Sequence, residues 1–337
     1  MIEKAGMMMA TIRDVAKQAG VSVATVSRVL NSNGYVNEDT RVKVTEAIKK
    51  LNYLPNDVAR SLFKRRSKMI GLILPDITNP FFPELARAVE DVANETEYTF
   101  VLCNSDNQME KEQQYLTALK QKYIDGFIVV SSTLTTEQVH ELNVPVVALD
   151  RIISPHMPSV SVQNYEGAQE AVQYLMKNGC QKVAHISGPD YVDNAHARKQ
   201  GYLDMVRDKE WYVDGLVVDG KYELDPAKEA ATQLLEKHPD VDGIFVGNDL
   251  MAVGVLKAAE ALGIKVPENL SIIGFDGIAL GETTTPALTT MAQPIYDVGS
   301  KAAELLINYI EGIPSVHSNH SFGVQIIERE TVKKGGV

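Results

Sequence analysis

The stretch TIRDVAKQAGVSVATVSRVLN, residues 11–31, decides the fold of the N-terminal part of this 337-residue chain. Gly20 stands where a first helix should end, because glycine readily adopts the left-handed backbone of that position. Ser22 is a good N-cap for a second helix. The apolar residues recur at helical spacing, and they are Ile12, Val15, Ala16, Ala19, Val26, Val29 and Leu30. The pattern predicts two short helices joined by a tight turn.

A third helix is predicted after residue 36. Asn37 or Asp39 can cap it, and an apolar stripe follows at Val44, Ala47, Ile48 and Leu51. Three short helices with a glycine turn between the first two make a helix-turn-helix. The exposed side of the second helix offers small or polar residues and one cation, which suit base edges and phosphates: Val23, Ala24, Thr25, Ser27 and Arg28. Taken alone, the pattern also fits a small helical bundle with no role on DNA.

Charge is distributed unevenly along the chain, whose formal net charge is −11. Residues 9–66 hold eleven Lys and Arg against five Asp and Glu, so this segment is basic and the remainder is strongly acidic. A basic head on an acidic body confines any attraction for a polyanion to the head. The charge pattern therefore favours a nucleic-acid contact at the N-terminal segment.

Several protein classes are disfavoured by the sequence. No apolar run is long enough to cross a bilayer, and the N-terminus lacks the apolar segment of a secretory signal. Cys103 and Cys180 show no redox spacing and are expected to be buried thiols of a cytoplasmic protein. Phosphate-loop, dinucleotide and serine-hydrolase motifs are missing, and no histidine pair has metal-ligand spacing. We expect a protein that is not an enzyme and needs no metal or cofactor.

From Met69 onward, apolar strand-like runs alternate with amphipathic helices. The runs are MIGLILP (69–75), TFVLCN (99–104), GFIVVS (126–131), VPVVALD (144–150), KVAHISG (182–188), GLVVD (215–219), GIFVGN (243–248) and LSIIGFD (270–276). Val, Ile and Leu runs joined by helices indicate parallel strands covered on both faces. Eight such units exceed one comfortable sheet, so we expect two α/β subdomains that divide near residues 164–166.

Polar and aromatic residues follow five of these runs. Ligands of open α/β sheets bind beyond the carboxyl ends of the strands, which is where these residues stand. They are Asp76, Asn79, Phe81, Phe82, Ser131, Asp150, Arg151, Asn248, Asp249, Phe275 and Asp276. Aromatic faces can cover the C–H surface of a sugar, while planar polar groups pair with vicinal hydroxyls. The set favours a small polyhydroxylated ligand, although Phe81 and Phe82 taken alone are more typical of core packing, and Asp276 taken alone could cap the next element.

Residues 11–31 together with VNEDTRVKVTEAIKKLNYLPNDVARSL (36–62) resemble the headpiece of the LacI/GalR repressor family. The resemblance implies that Val23, Ala24 and Arg28 read the major groove, and that residues 57–67 form a hinge helix that orders only on DNA. Without the resemblance, that segment is more typical of a flexible basic tether than of a helix. By the same resemblance, Leu62 wedges into the minor groove and kinks the duplex. The DNA-binding set is Thr11, Ser22, Val23, Ala24, Thr25, Ser27, Arg28, Asn31, Tyr35, Asn56, Ala59, Arg60 and Leu62.

Two such leucines side by side require a symmetric homodimer and a pseudo-palindromic operator in double-stranded DNA. Lys64, Arg65 and Arg66 would add salt-sensitive attraction for phosphates.

The body is similar to periplasmic ribose-binding proteins, and within the family it resembles the ribose operon repressors of Gram-positive bacteria. This resemblance implies D-ribose as effector, bound by Asn79, Phe81, Phe82, Ser131, Asp150, Arg151, Arg198, Tyr222, Asn248, Phe275, Asp276 and Gln293. Tyr222 stands where the family pattern has phenylalanine, and Ser131 stands where it has asparagine. Three alternatives stay open: a catabolite regulator controlled by a phosphorylated carrier protein, a purine-type effector, and a sugar-binding protein without a regulatory role.

The expected architecture is α/β, with a three-helix helix-turn-helix headpiece and two doubly wound parallel-sheet subdomains of the periplasmic-binding-protein type. The expected ranges are 9–56 for the headpiece, 57–67 for the hinge and linker, 68–165 with 293–330 for the first subdomain and crossover, and 166–292 for the second subdomain. Sugar binding should close the two subdomains and separate the hinge helices of the dimer, by a shift between two populations.

Overall fold

The computed structural model describes residues 10–31, 34–53, 66–130, 134–150, 153–154, 157–314 and 319–334. The chain divides between Ser67 and Lys68 into two compact units. The N-terminal unit is called the headpiece here, and the second unit is called the body.

The headpiece contains α1 (Ile12–Ala19), α2 (Val23–Leu30) and α3 (Glu38–Lys50). Gly20 adopts the left-handed conformation, with φ of 67°, and ends α1 as predicted. Ser22 caps α2 by accepting a hydrogen bond from the backbone of Thr25. Asn37, rather than Asp39, caps α3 through its side-chain oxygen. The local capping chemistry therefore sets all three helix starts and the turn between α1 and α2.

Apolar side chains from all three helices form a small headpiece core. Val15, Val26 and Val44 are fully buried at its centre, one from each helix. Because each valine occupies the position expected from the helical periodicity, the outward faces of the helices are left to polar and small residues. The helix-turn-helix prediction is confirmed.

The body contains two sheets of six strands each within its described residues. The first sheet has the order β11-β5-β4-β3-β1-β2, and its strands are β1 (Met69–Leu74), β2 (Thr99–Asn104), β3 (Gly126–Val129), β4 (Val146–Leu149), β5 (Ser159–Val162) and β11 (Asn319–Phe322). All of its strand pairs are parallel; at the centre, Leu72 pairs in register with Leu102 of β2 and Ile128 of β3. Its helices are α4 (Phe81–Glu95), α5 (Met109–Gln121), α6 (Thr136–Leu142) and α11 (Ile295–Glu311).

The second sheet has the order β12-β10-β9-β8-β6-β7, with β12 antiparallel to β10. Its strands are β6 (Val183–Ser187), β7 (Val217–Asp219), β8 (Gly243–Val246), β9 (Ser271–Asp276), β10 (Thr289–Ala292) and β12 (Gln325–Ile327). Its helices are α7 (Asn164–Lys177), α8 (Asp193–Val206), α9 (Leu224–Lys237) and α10 (Asp249–Ala261). Each sheet carries an apolar core on both faces, and the two free cysteines are buried there. The predicted α/β class with two sheets is confirmed.

The chain crosses between the two sheets three times, after β5, after β10 and after β11. The third crossing corrects the expected subdomain range 293–330, because residues 325–327 pair with β10 of the second sheet. Four strands were missed in the sequence: β5, β10, β11 and β12. Their side chains are only partly apolar; in β10, for example, Thr289 and Thr290 are fully buried and satisfied by hydrogen bonds.

Candidate functional site

A cleft of about 440 Å³ lies in the body, at the carboxyl ends of strands from both sheets. Val130 and Asp150 follow β3 and β4 of the first sheet, and Asn248 and Asp276 stand at the ends of β8 and β9 of the second. The structure therefore brings together side chains that lie more than 100 residues apart in the sequence. Of the predicted effector set, the cleft is lined by Asn79, Phe81, Phe82, Asp150, Arg198, Tyr222, Asn248, Asp276 and Gln293.

The first-subdomain wall of the cleft contains an aromatic pair. The rings of Phe81 and Phe82 meet edge to face with their centroids 5.2 Å apart. The side-chain oxygen of Asn79 accepts a hydrogen bond from the backbone of Phe81 at 3.1 Å, so this polar residue is fixed beside the rings. Phe81 is also part of the core of its subdomain, which makes the aromatic wall rigid. Packing and ligand contact are therefore compatible roles for this pair.

Arg198 is the central cation of the cleft and is only 2 % exposed. Its Nε donates to Asn164 Oδ1 at 2.8 Å, and its Nη1 donates to the carbonyl of Gly247 at 2.5 Å. Its guanidinium carbon lies 3.7 Å from the centroid of the Phe275 ring. Buried cations need such partners, and together they hold the guanidinium plane in one orientation.

Phe275 occupies a different place from the one expected. The sequence predicted a ring that contacts the ligand, but Phe275 is fully buried and does not line the cleft. Its ring packs against the Arg198 guanidinium, which lies between Phe275 and the cleft lining. The alternation of side chains along β9 explains the difference, because Asp276 and Phe275 point to opposite faces of the sheet.

Asp276 is the acidic counterpart of Arg198. Its Oδ1 accepts hydrogen bonds from Gln293 Nε2 at 2.7 Å and from Arg198 Nη1 at 3.3 Å. Burial raises the pKa of Asp276 to about 6, while the charge of Arg198 and the Gln293 hydrogen bond oppose that rise. Its φ of 111° is in the region that non-glycine residues rarely adopt, which indicates a conformation imposed by the surrounding structure. A carboxylate presented in this way can accept hydrogen bonds from ligand hydroxyls.

The loop that follows Asp276 is supported by Asp249, a fully buried residue that the sequence placed at a strand end but not in the effector-binding set. Asp249 Oδ2 accepts from the backbone of Gly277 at 2.8 Å and of Ile278 at 3.0 Å, and Oδ1 accepts from the Thr290 hydroxyl at 2.6 Å. Burial, with the nearby charge of Asp276, raises the pKa of Asp249 to about 8.

Asp150 stands at the end of β4 and receives hydrogen bonds from two amide side chains, Asn164 Nδ2 and Asn194 Nδ2. Asn194 also accepts from the Tyr222 hydroxyl at 2.8 Å. Burial is the main cause that raises the pKa of Asp150, opposed by the charge of Arg198. Asn164 and Asn194 were not predicted from the sequence, because asparagines at helix starts are typical of solvated capping positions.

Three further predicted residues have other local contacts or lie outside the described residues. Asn248 lines the cleft and also caps α10 by accepting from the backbone of Met251 at 2.8 Å. Ser131 and Arg151 lie outside the described residues. Cleft-lining residues that the sequence did not suggest are Asn107, Pro189, Tyr191, Val192, Asp193, Asn194, Asp219, Lys221 and Glu223, which come from loops, from helix starts and from the end of β7.

The headpiece presents a second candidate site on α2. Val23 is 42 % exposed, and Ala24 and Arg28 are exposed beside it. Tyr35 is 92 % exposed, which is unusual for an aromatic side chain without a partner surface. Small residues at a helix start with a cation one turn later suit close approach to base edges.

Other predicted DNA-binding residues of the headpiece form hydrogen bonds with neighbouring headpiece residues. Ser22 bonds to Thr25, Asn31 bonds to Ser27, and Thr11 forms a capping box with Asp14. They are available to phosphates as pre-oriented groups. Asn56, Ala59, Arg60 and Leu62 lie outside the described residues.

Two family profiles match this chain. Residues 11–56 match the bacterial regulatory proteins of the lacI family, and residues 67–333 match the periplasmic binding proteins and sugar binding domain of the LacI family. The chain belongs to the LacI family. This LacI-family protein is therefore a DNA-binding transcriptional regulator and not an enzyme.

Relatives of this LacI-family chain agree with that assignment. A ribose operon repressor of Halalkalibacterium halodurans is 50 % identical over 327 residues, which cover 97 % of this chain and 98 % of the relative. The lac repressor dimer bound to operator and the anti-inducer ONPF has a TM-score of 0.85 at 26 % identity, covering 96 % of this chain and 99 % of that one. A LacI-family regulator of Enterococcus faecalis V583 with bound ribose has a TM-score of 0.72 at 30 % identity, covering 79 % of this chain and 99 % of that one.

Within the described part of this LacI-family chain, no helix has the length and apolarity needed to span a bilayer. The same residues contain no cluster of His, Cys, Asp and Glu side chains that could hold a metal ion.

Proposed function

We propose that this protein is a ribose-responsive repressor, which binds a pseudo-palindromic operator as a homodimer in the cytoplasm and releases it when D-ribose fills the cleft. The observation that carries the proposal is the cleft between the two subdomains, where Asp150, Arg198 and Asp276 converge beside aromatic rings. The volume of about 440 Å³ lies in the range of small-molecule sites.

The chemistry of the lining favours a monosaccharide. Carboxylates accept hydrogen bonds from vicinal hydroxyls, and the fixed guanidinium of Arg198 donates to ring or hydroxyl oxygens. The rings of Phe82 and Tyr222 can cover the C–H faces of the sugar. A purine would need a flat, mostly apolar slot, whereas charged and polar residues of both subdomains line this cleft beside its aromatic rings. The names of the two relatives that mention ribose support the same ligand.

The DNA half of the proposal depends on the exposed face of α2. We assign direct base contact to Val23, Ala24 and Arg28, and phosphate contact to the polar residues around them. The proposed roles of the hinge residues, including the minor-groove wedge at Leu62, rest on the family resemblance.

A homodimer is proposed because a pseudo-palindromic operator matches a two-fold symmetric protein. The edge strand β2 of the first sheet is a candidate dimer surface, since Leu102 is exposed there and Phe100 and Val101 are only partly buried. The unpaired backbone groups of an edge strand can pair with another chain, and exposed apolar side chains on it mark an interaction surface.

The coupling between the cleft and the headpiece is proposed to be a population shift. A sugar that touches Asp150 on one subdomain and Asp276 on the other binds the closed form better than the open form. A few kcal/mol of differential affinity changes operator affinity about 5–150-fold. Three chain crossings join the subdomains, so closure is a rotation about those segments.

Calorimetric titration with a panel of pentoses, hexoses and nucleosides tests the ligand assignment. D-ribose should bind at least about tenfold more tightly than the others, because missing hydroxyls leave buried polar groups unpaired. A nucleoside or hexose that binds more tightly than D-ribose would overturn the assignment. If no sugar binds but a phosphorylated carrier protein does, the protein is instead a catabolite regulator.

A further inference from the structure

Asn194 connects the two walls of the cleft. It is the second residue of α8, in the second subdomain, and its Nδ2 donates to Oδ2 of Asp150, which directly follows β4 of the first subdomain. Its Oδ1 accepts from the hydroxyl of Tyr222, in the loop before α9, at 2.8 Å. The hydrogen-bond chain Tyr222–Asn194–Asp150 thus consists of protein atoms alone and spans the cleft.

We propose that Asn194 is a positioning residue, which orients Asp150 and, with Tyr222, forms a latch that favours the closed cleft. The part of the proposal that concerns effector affinity rests on the proposed function of the cleft. The closing effect of the latch does not depend on it, because no ligand atom takes part.

The direction of each hydrogen bond follows from the donor and acceptor inventory of the side chains. An amide oxygen only accepts and an amide nitrogen only donates. With its oxygen bonded to the Tyr222 hydroxyl, Asn194 must turn its nitrogen toward the Asp150 carboxylate. A phenylalanine at 222 would stack equally well but would leave the amide oxygen of Asn194 without this donor. The hydroxyl of Tyr222 therefore acts on Asp150 only through Asn194.

The second oxygen of Asp150 is fixed as well. Oδ1 accepts from Asn164 Nδ2 at 3.1 Å, and Asn164 in turn accepts from Nε of Arg198. Asp150 is thereby attached to the start of α7 and to the start of α8, both in the second subdomain. A carboxylate has about four acceptor positions, so two remain available for ligand hydroxyls.

The backbone around the latch adopts uncommon conformations that place its side chains. Asp150 and Tyr222 have φ values of 60° and 62°, and such values are uncommon for an aromatic residue. A Cβ at Gly188 would lie 2.5 Å from Cζ of Tyr222, so only glycine lets the tyrosine ring lie against the backbone there. These conformations aim the Tyr222 hydroxyl at Asn194.

The latch stabilises the closed form before any ligand arrives. A ligand that binds the closed form then loses less of its binding free energy to closure, which raises its apparent affinity. Removing the latch should therefore increase the population of the open cleft and weaken effector binding at the same time.

The test measures closure and affinity separately. Cysteines introduced at the exposed positions Lys122 and Glu236, one on each subdomain, carry spin labels whose separation is read by pulsed electron resonance. Cys103 and Cys180 are buried, and burial raises the pKa of both thiols, so they should label slowly. Calorimetry with D-ribose on the same variants gives the affinity.

Without ligand, Asn194→Ala should increase the population with the longer separation at least about fivefold, and it should weaken D-ribose binding by about tenfold. Tyr222→Phe, which keeps the ring and its packing, should weaken D-ribose binding about threefold, yet have no further effect in the Asn194→Ala background. Tyr212→Phe is the matched control, because it removes a tyrosine hydroxyl bonded to Asp214 elsewhere in the same subdomain.

An Asn194→Ala separation profile identical to the wild type would overturn the latch, and so would additive effects of the two substitutions. If the separation shifts as expected but the wild type binds no ribose, the latch stands and the ribose assignment fails. If the wild type binds ribose and the separation does not shift, the latch fails and the proposed function stands.

Discussion

Nη1 of Arg198 lies 3.3 Å from Oδ1 of Asp276, and both side chains are almost completely buried. The pair joins α8 to the end of β9 at the base of the cleft. A buried ion pair is a weak source of stability, because desolvation offsets most of the attraction between the charges. Its position at the cleft indicates a role in holding two complementary polar groups ready for a ligand.

Substitution of either partner should separate ligand response from DNA binding. Arg198→Ala or Asp276→Ala should weaken D-ribose binding at least about tenfold, since each removes a charged hydrogen-bond partner. Operator affinity without sugar should stay within about twofold, because the α2 contact surface is untouched. Calorimetry and operator-binding titrations measure the two quantities.

Arg207→Ala removes an exposed arginine paired with Asp204 at 3.4 Å, and this control should behave as the wild type. Loss of both activities in the Arg198 and Asp276 variants would contradict the site.

Stability should depend on pH through Asp276. Burial raises its pKa to about 6 from the ordinary 3.8, so the folded protein holds a proton that the unfolded chain releases. This contribution favours the folded state at low pH and is lost as pH rises from about 4 through about 6. The unfolding free energy of Asp276→Asn, relative to the wild type, should therefore increase by up to about 3 kcal/mol between pH 4 and pH 8.

Urea unfolding at a series of pH values measures this difference. Asp208→Asn, at an exposed position, is the control and should follow the wild type throughout. A difference between Asp276→Asn and the wild type that stays constant across the pH range would show that Asp276 is not held in a desolvated environment.

The sequence predicted the sheets better than it predicted the site. Long Val, Ile and Leu runs such as that of β1 identify buried strands because burial on both faces demands continuous apolar residues. β10 escaped prediction because its buried Thr289 and Thr290 are satisfied by partners far away in the sequence, the Arg329 backbone and Asp249.

The site residues were also hard to predict where their roles depend on partners that are distant in the sequence. Asp276 was found because it stands at the end of a predicted strand, and Arg198 because the family resemblance marks it. Asn194 has a role only through Tyr222 and Asp150, which lie 28 and 44 residues away. Phe275 was assigned to the ligand because sequence alone does not show which side chain of β9 faces the cleft. Pairings between distant segments depend on register, and a one-residue shift reverses every face of a strand.

Base recognition should depend on Arg28. Arg28→Ala should weaken binding to the selected operator by about 5–150-fold, the equivalent of 1–3 kcal/mol, and should reduce discrimination at the contacted base pair. Fluorescence anisotropy with a selected operator and its single-base variants measures both effects. Arg41→Ala is the comparison, because Arg41 lies on α3 and pairs with Glu38 at 3.8 Å. If Arg28→Ala weakened binding equally for all DNA sequences, Arg28 would contact phosphate and not a base.

The minor-groove wedge proposed for Leu62 has its own signature. Leu62→Ala should weaken operator binding more than non-specific binding, because only a kinked operator receives the side chain. Competition titrations against random-sequence duplex give the ratio of the two affinities, and circular-permutation electrophoresis gives the bend. If Leu62→Ala changed neither the ratio of operator to non-specific affinity nor the DNA bend, Leu62 would not act as a minor-groove wedge.

The most direct measurement of the central claim is an anisotropy titration of D-ribose into the protein bound to a palindromic duplex selected from a random pool. D-ribose should release the duplex, with operator affinity reduced about 5–150-fold at saturating sugar, and it should release none from the Asp276→Ala variant. Operator affinity that is identical with and without saturating D-ribose, in a protein shown to bind the sugar, would contradict the central claim.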